Sequence, residues 1–220
     1  MNYIFSYLER EQPKGFQSPQ RAPITVLRQW KEALDHFEFS PDPPIIEKCT
    51  RNLLELYYHA STVITETYGA KFESVFDHFT DRFQTIVDLA ESVTESWKIQ
   101  SRDYNMLFSF DLGITPPMFL VASRCRHPLI RRKAVDLMLN SPFYHGVWQD
   151  RYSGLCAQRM IEIEEENIET IVDPINVLET HRIRKVSADL HEEGSQIMLR
   201  FTRWPFTPES AIYTTFISLI

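Results

Sequence analysis

Glycine is scarce in this chain, with 6 residues in 220. That disfavours a fold of many tight hairpins and leaves no glycine-rich loop to cradle a nucleotide phosphate. The three cysteines, Cys49, Cys125 and Cys156, are odd in number and far apart, which argues against a disulfide framework. No Cys-x-x-Cys pair is present to seed a zinc module. No apolar run approaches the roughly 20 residues needed to cross a bilayer, and the first ten residues lack the basic start and long apolar stretch of a secretory leader. Positive charge is in deficit as well: 23 Lys+Arg stand against 30 Asp+Glu, a net −7, so no general attraction for nucleic-acid phosphates is expected. Spacings of the G-x-S-x-G, H-E-x-x-H and EF-hand kinds are missing too. These absences predict a protein of the nucleus or cytoplasm with no metal, no cofactor, no membrane span and no direct nucleic-acid binding.

Apolar residues, by contrast, are plentiful and periodic. Residues 1–23, with Pro13, Gly15, Pro19 and Pro23, predict an irregular lead-in. Val26, Leu27, Trp30, Ala33, Leu34 and Phe37 then recur at three- and four-residue spacing, the mark of an amphipathic helix, which Ser40-Pro41-Asp42-Pro43-Pro44 ends. A second stripe runs from Ile46 through Cys49, Leu53, Leu56, Tyr57, Ala60 and Val63 to Ile64, with Gly69 as its stop. The third, from Phe72 through Phe76, Phe79, Phe83, Ile86, Val87, Ala90 and Val93 to Trp97, predicts one helix packed on the second. Residues 101–117 predict a short helix and a bend. Helical pieces follow at 118–125, 129–139 and 149–170, the last acidic at Glu162, Glu164, Glu165, Glu166 and Glu169.

The pattern changes after residue 182. Val186, Ala188 and Leu190 alternate with polar residues, as do Ile197, Leu199 and Phe201, and His191-Glu192-Glu193-Gly194-Ser195 separates the two runs. That is a β-hairpin signature. The expected fold is mostly α: an antiparallel helical bundle or stacked helix pairs, with one small C-terminal hairpin. It occupies a single domain over residues 24–204, with the hairpin at about 183–203. Residues 205–220 form an apolar tail that must pack, pair or aggregate.

Four short segments carry a family likeness. Phe108-Ser109-Phe110-Asp111-Leu112-Gly113-Ile114-Thr115-Pro116-Pro117 is followed by Arg124-Cys125-Arg126-His127-Pro128, Arg131-Arg132-Lys133-Ala134 and Gly146-Val147-Trp148. This order resembles the C-terminal domain of fungal zinc-cluster transcription regulators, in which F-x-F-D-x-G-[IL]-x-P-P precedes K/R-C-R-D-P-x-x-R-R-x-A and E-G-x-W. The likeness spans about residues 24–204 and includes Leu27-Arg28-Gln29-Trp30 and Leu56-Tyr57-Tyr58-His59-Ala60. His127 stands where the family usually has Asp, and His145 where it usually has Glu. The six-cysteine DNA-reading segment of the family is absent. The resemblance implies a helical regulatory domain without its own DNA reader, acting in transcription regulation, with secondary metabolism as one setting.

Arg124, Arg126, Arg131 and Arg132, with Lys133 beside them, form the one basic cluster. They are candidates for binding an anion or a partner. The same arginines can instead pair with the acidic helix at 162–169 and cap helix carbonyls. Asp111, His127 and His145 are the candidates for general acid–base chemistry, because they lie near bends where loops gather. His59, like the other histidines, lacks the close spacing of a metal site. Two functions follow. The first is a regulatory or interaction module that binds a partner protein or a hydrophobic metabolite and can dimerise. The alternative is a stand-alone enzyme acting on a hydrophobic metabolite in an interhelical pocket.

Overall fold

Three apolar stripes, each at helical spacing, account for the N-terminal half. The computed structural model describes residues 21–37, 42–101, 108–109, 113–141, 144–145, 150–191 and 194–219. Helix α1 spans Arg21–His36. It takes in the last three residues of the expected lead-in, and Pro23 is tolerated there because the first turn needs no amide donor. Among the described residues of α1, only Leu34 is buried, while Val26 is 61% exposed. Helix α2, Ile45–Thr67, follows Pro44 at its N-cap and buries Cys49, Leu56, Ala60 and Val63. Gly69, at φ 78°, turns the chain just beyond its end. Helix α3, Thr80–Ser101, lies along α2 with Phe83, Ile86, Val87, Ala90 and Val93 buried. Each such side chain contributes roughly 1.5–3 kcal/mol by leaving water.

The stripe expected as one helix from Phe72 is divided. Glu73–Phe79 forms a 3₁₀ segment ahead of α3. The cause is tertiary: the Glu179 carboxylate accepts hydrogen bonds from the Glu73 and Ser74 amides at 2.6 and 2.9 Å. A group distant in sequence thus satisfies the free donors at the start of this segment.

Helix α4, Thr115–Arg124, is buried on nearly all sides. It packs against α3, α5 (Pro128–Leu139) and α6 (Asp150–Glu165). An all-round apolar helix of this kind belongs at the centre of a domain. Helices α5 and α6 approach closely at Gly154, where a Cβ would fall 2.8 Å from Leu139 Cδ2 and 3.3 Å from its amide nitrogen. A larger residue there requires the Leu139 side chain to move. The acidic run continues past the helix, which ends at Glu165. Two short strands, β1 (Phe108–Ser109) and β2 (Tyr144–His145), pair in parallel beside this group.

The hairpin forms where the alternation placed it. Strand β3, Ile183–His191, pairs antiparallel with β4, Gln196–Arg203, through Ala188↔Leu199 and Leu190↔Ile197. A bulge interrupts the register between Arg184 and Ser187, with Lys185 at φ 52°. Ile183, Val186, Ile197, Leu199 and Phe201 join the helical core. The apolar tail resolves into a third strand, β5 (Ile212–Ser218), paired antiparallel with β4. The sheet order is β3-β4-β5, so β5 is an edge. Among the described residues, no helix is long and apolar enough to cross a membrane.

Candidate functional site

The Arg-Cys-Arg-His-Pro segment is the bend between α4 and α5. Arg124 is the last residue of α4, and Cys125 is its C-cap, with its amide bonded to the Val121 carbonyl at 2.9 Å. His127 precedes a proline and takes the extended conformation that position requires, φ −67° and ψ 120°. Pro128 then opens α5, where a missing amide costs nothing. The tight bend brings three guanidinium groups to one place. Arg126 Nη1 donates to the Arg124 carbonyl at 2.7 Å, and Arg131 Nη2 donates to the Ala122 carbonyl at 3.2 Å. Both satisfy carbonyls that the end of α4 leaves without intrahelical donors.

Carboxylates from distant elements close the arrangement. Glu164, in the last turn of α6, accepts from Arg126 Nη2 at 2.6 Å and from Arg131 Nη2 at 2.7 Å. Its Oε1 also accepts from the Ile183 amide at 2.9 Å. One carboxylate therefore joins the α4–α5 bend, α5, α6 and β3. Glu73 of the 3₁₀ segment takes Arg124 Nη1 at 2.7 Å and Arg126 Nη1 at 3.3 Å, and Arg184 Nε lies 3.2 Å from its other oxygen. The side chains of Arg126, Arg131 and Glu164 are 0% exposed. Burial by itself would raise the Glu164 carboxyl, but Coulombic attraction to Arg126 and Arg131, with their hydrogen bonds, holds it down to about 2. It is an ionised group throughout the neutral range.

A second knot lies beside the first. Arg182 is buried and grips Asp77 with two nitrogens, at 2.9 and 2.6 Å. It also donates to the carbonyls of Val177 at 2.8 Å and Pro174 at 3.1 Å. This fork fastens the 174–182 connection to the 3₁₀ segment, a geometry that only a planar guanidinium supplies.

Arg124, Arg126 and Arg131, three of the four candidate arginines, are buried and bonded to internal carboxylates and carbonyls; Arg126 and Arg131 pair with the acidic helix through Glu164, the second of the two readings of this cluster. Arg132 is half exposed and pairs with Glu165, and Lys133 reaches Glu91 across the surface. Asp111 and the side chain of His145 lie outside the described residues. His127 is partly buried, its Nδ1 has no hydrogen-bond partner, and it makes no side-chain cap to α5. His59 sits on α2 near Arg82, at 3.5 Å; burial first, and the Arg82 charge second, push it below the ordinary imidazole range. The cysteines are all buried and free. Burial pushes the Cys125 thiol up to about 11 and the Cys156 thiol up to about 12, far from a nucleophile's range.

Among the described residues, no group of three His, Cys, Asp or Glu is placed to hold a metal ion. Sequence inspection missed Glu73, Asp77 and Arg182, which stand in unremarkable stretches. The signal for them was that each buried arginine needs a carboxylate, and Glu164 and Glu165 of the acidic helix leave Arg124 without one. Neither family models, curated proteins nor solved structures give a match to this chain.

Proposed function

We propose that this chain is a regulatory or interaction module, resembling the effector domain of fungal zinc-cluster regulators without a DNA reader, that binds a partner protein or a hydrophobic metabolite. The observation that carries this is the use made of the family-like motif. Three of its arginines, Arg124, Arg126 and Arg131, are buried and organise the helix packing. Buried ion pairs of this kind fix a geometry, and they do no chemistry of their own. Support also comes from α1, which packs on α2 by the row containing Leu34 and turns Val26 and Ala33 outward. Exposed apolar rows of this kind mark contact surfaces.

The test is thermal stability of the purified chain against cell-extract fractions and a metabolite panel. A ligand at a hundredfold excess over its Kd adds about 2.7 kcal/mol. Stabilisation by a macromolecular fraction, lost in a Val26→Asp/Ala33→Asp variant of unchanged helicity, supports the protein-binding form. Stabilisation by a small molecule without turnover supports the metabolite-binding form. Turnover of that molecule overturns the proposal in favour of an enzyme.

A further inference from the structure

Strand β5 is the one edge of the sheet that carries no protection. Proline, lysine and inward-pointing charges are the usual devices that stop an edge from recruiting another strand. Residues Ile212-Tyr213-Thr214-Thr215-Phe216-Ile217-Ser218 contain none of them. Ile212 is 70% exposed and Phe216 50% exposed. The free edge can be assigned residue by residue. The Leu219 amide bonds to the Ser195 carbonyl of the β4 side at 3.0 Å, so the odd-numbered residues of β5 turn their backbone groups toward β4. The N–H and C=O groups of Ile212, Thr214, Phe216 and Ser218 therefore face away from it. Among the described residues, nothing hydrogen-bonds to these outward groups.

We propose that β5 pairs antiparallel with β5 of a second copy of this chain, across a two-fold axis at Thr215, to give a six-stranded sheet. Three observations select this occupant. First, the strand is its own complement. An axis at Thr215 sets Ile212 opposite Ser218, Tyr213 opposite Ile217 and Thr214 opposite Phe216. The outward-facing residues thus meet one another and exchange about eight hydrogen bonds. Second, the central neighbours include aromatic with aliphatic, Tyr213 with Ile217, and threonine with threonine at the axis, pairs that favour association. Third, charge directs the approach. Two copies, each of net charge −7, repel over most of their surfaces, and β5 is a stretch where contact brings no carboxylates together. A two-fold contact uses the same patch on both partners and closes on itself.

A single pair of strands is a small interface, so association in the micromolar range is expected. Sedimentation equilibrium of the full chain at roughly 100 μM, where such a dimer is populated, should return twice the chain mass. Thr214→Pro removes an outward donor without touching the β4 ladder, and Thr214→Lys places a charge beside its symmetry mate. Each should restore the single-chain mass with unchanged circular dichroism. If the proline variant misfolds, the lysine variant decides. Thr215→Cys offers an independent readout. Facing residues at the axis lie within disulfide reach, so mild oxidation should give a covalent dimer through that position. Val26→Asp on α1 should leave the dimer intact. The proposal is overturned by a wild-type chain that stays single, by a dimer that survives both Thr214 variants, by a dimer lost on Val26→Asp alone, or by mass that keeps growing with concentration.

Discussion

Arg131, Arg132 and Lys133 are consecutive, alike in charge and carried by one helix, yet they meet three different fates. Arg131 is wholly buried and bonded to Glu164 and to the Ala122 carbonyl. Arg132 is half exposed beside Glu165, and Lys133 reaches across the surface to Glu91. A helix turns about 100° per residue, so a run of like charges is distributed around the axis, and only one member can point inward. Position on the helix therefore decides what each charge is worth. A buried pair that loses one partner leaves an uncompensated charge, whereas an exposed pair is screened by water and salt.

The sharpest way to probe that contrast is Glu164→Gln, which takes from Arg126 and Arg131 the one carboxylate that they share. A loss of about 3–5 kcal/mol is expected in denaturant unfolding. Acid titration gives the same residue a second signature. Its carboxyl falls from the ordinary value of 4.5 to about 2 on folding. The unfolded chain then binds the proton more readily, and the stabilisation is complete above about 4.5 and is lost as pH falls through 2. Wild-type stability should decline across that window more steeply than that of the variant. Arg131→Lys keeps the charge but cannot reach Glu164 and Ala122 together. It should cost about 2 kcal/mol, and an equally stable variant would show that the fork is dispensable.

His127→Asp acts in the opposite direction. The side chain at the N-cap of α5 makes no capping bond, and an aspartate at that position can accept one from the first-turn amides. A gain of about 1 kcal/mol is expected, read as a higher denaturant midpoint. Lys133→Ala should fall within about 0.5 kcal/mol of wild type, and a larger loss would erase the distinction between inner and outer charge.

The arginine motif and the acidic helix were both visible in the sequence, as was the possibility that they pair. Their depth was not, because burial of Arg126 depends on Glu73, which lies 53 residues earlier in a stretch that carries no mark of an ion pair. The hairpin could be read because β3 and β4 alternate cleanly around Gly194. Strand β5 lacks that alternation: Ile212, Tyr213, Phe216 and Ile217 fall on both faces, and only pairing with β4 identifies it as a strand. The 3₁₀ segment was hidden for another reason. Phe76, Phe79 and Phe83 fit an α-helix, and the departure comes from Glu179, 106 residues away.

The three buried thiols give the molecule an internal record of its own opening. Cys49 sits in α2, Cys125 at the bend beside the arginines and Cys156 in α6. Each is raised by burial, so alkylation has to wait for water to enter. Mass spectrometry can time the three positions separately under native conditions. Equal rates would report one concerted unfolding, whereas early modification of Cys49 would report that α2 loosens while the ion-paired centre still holds.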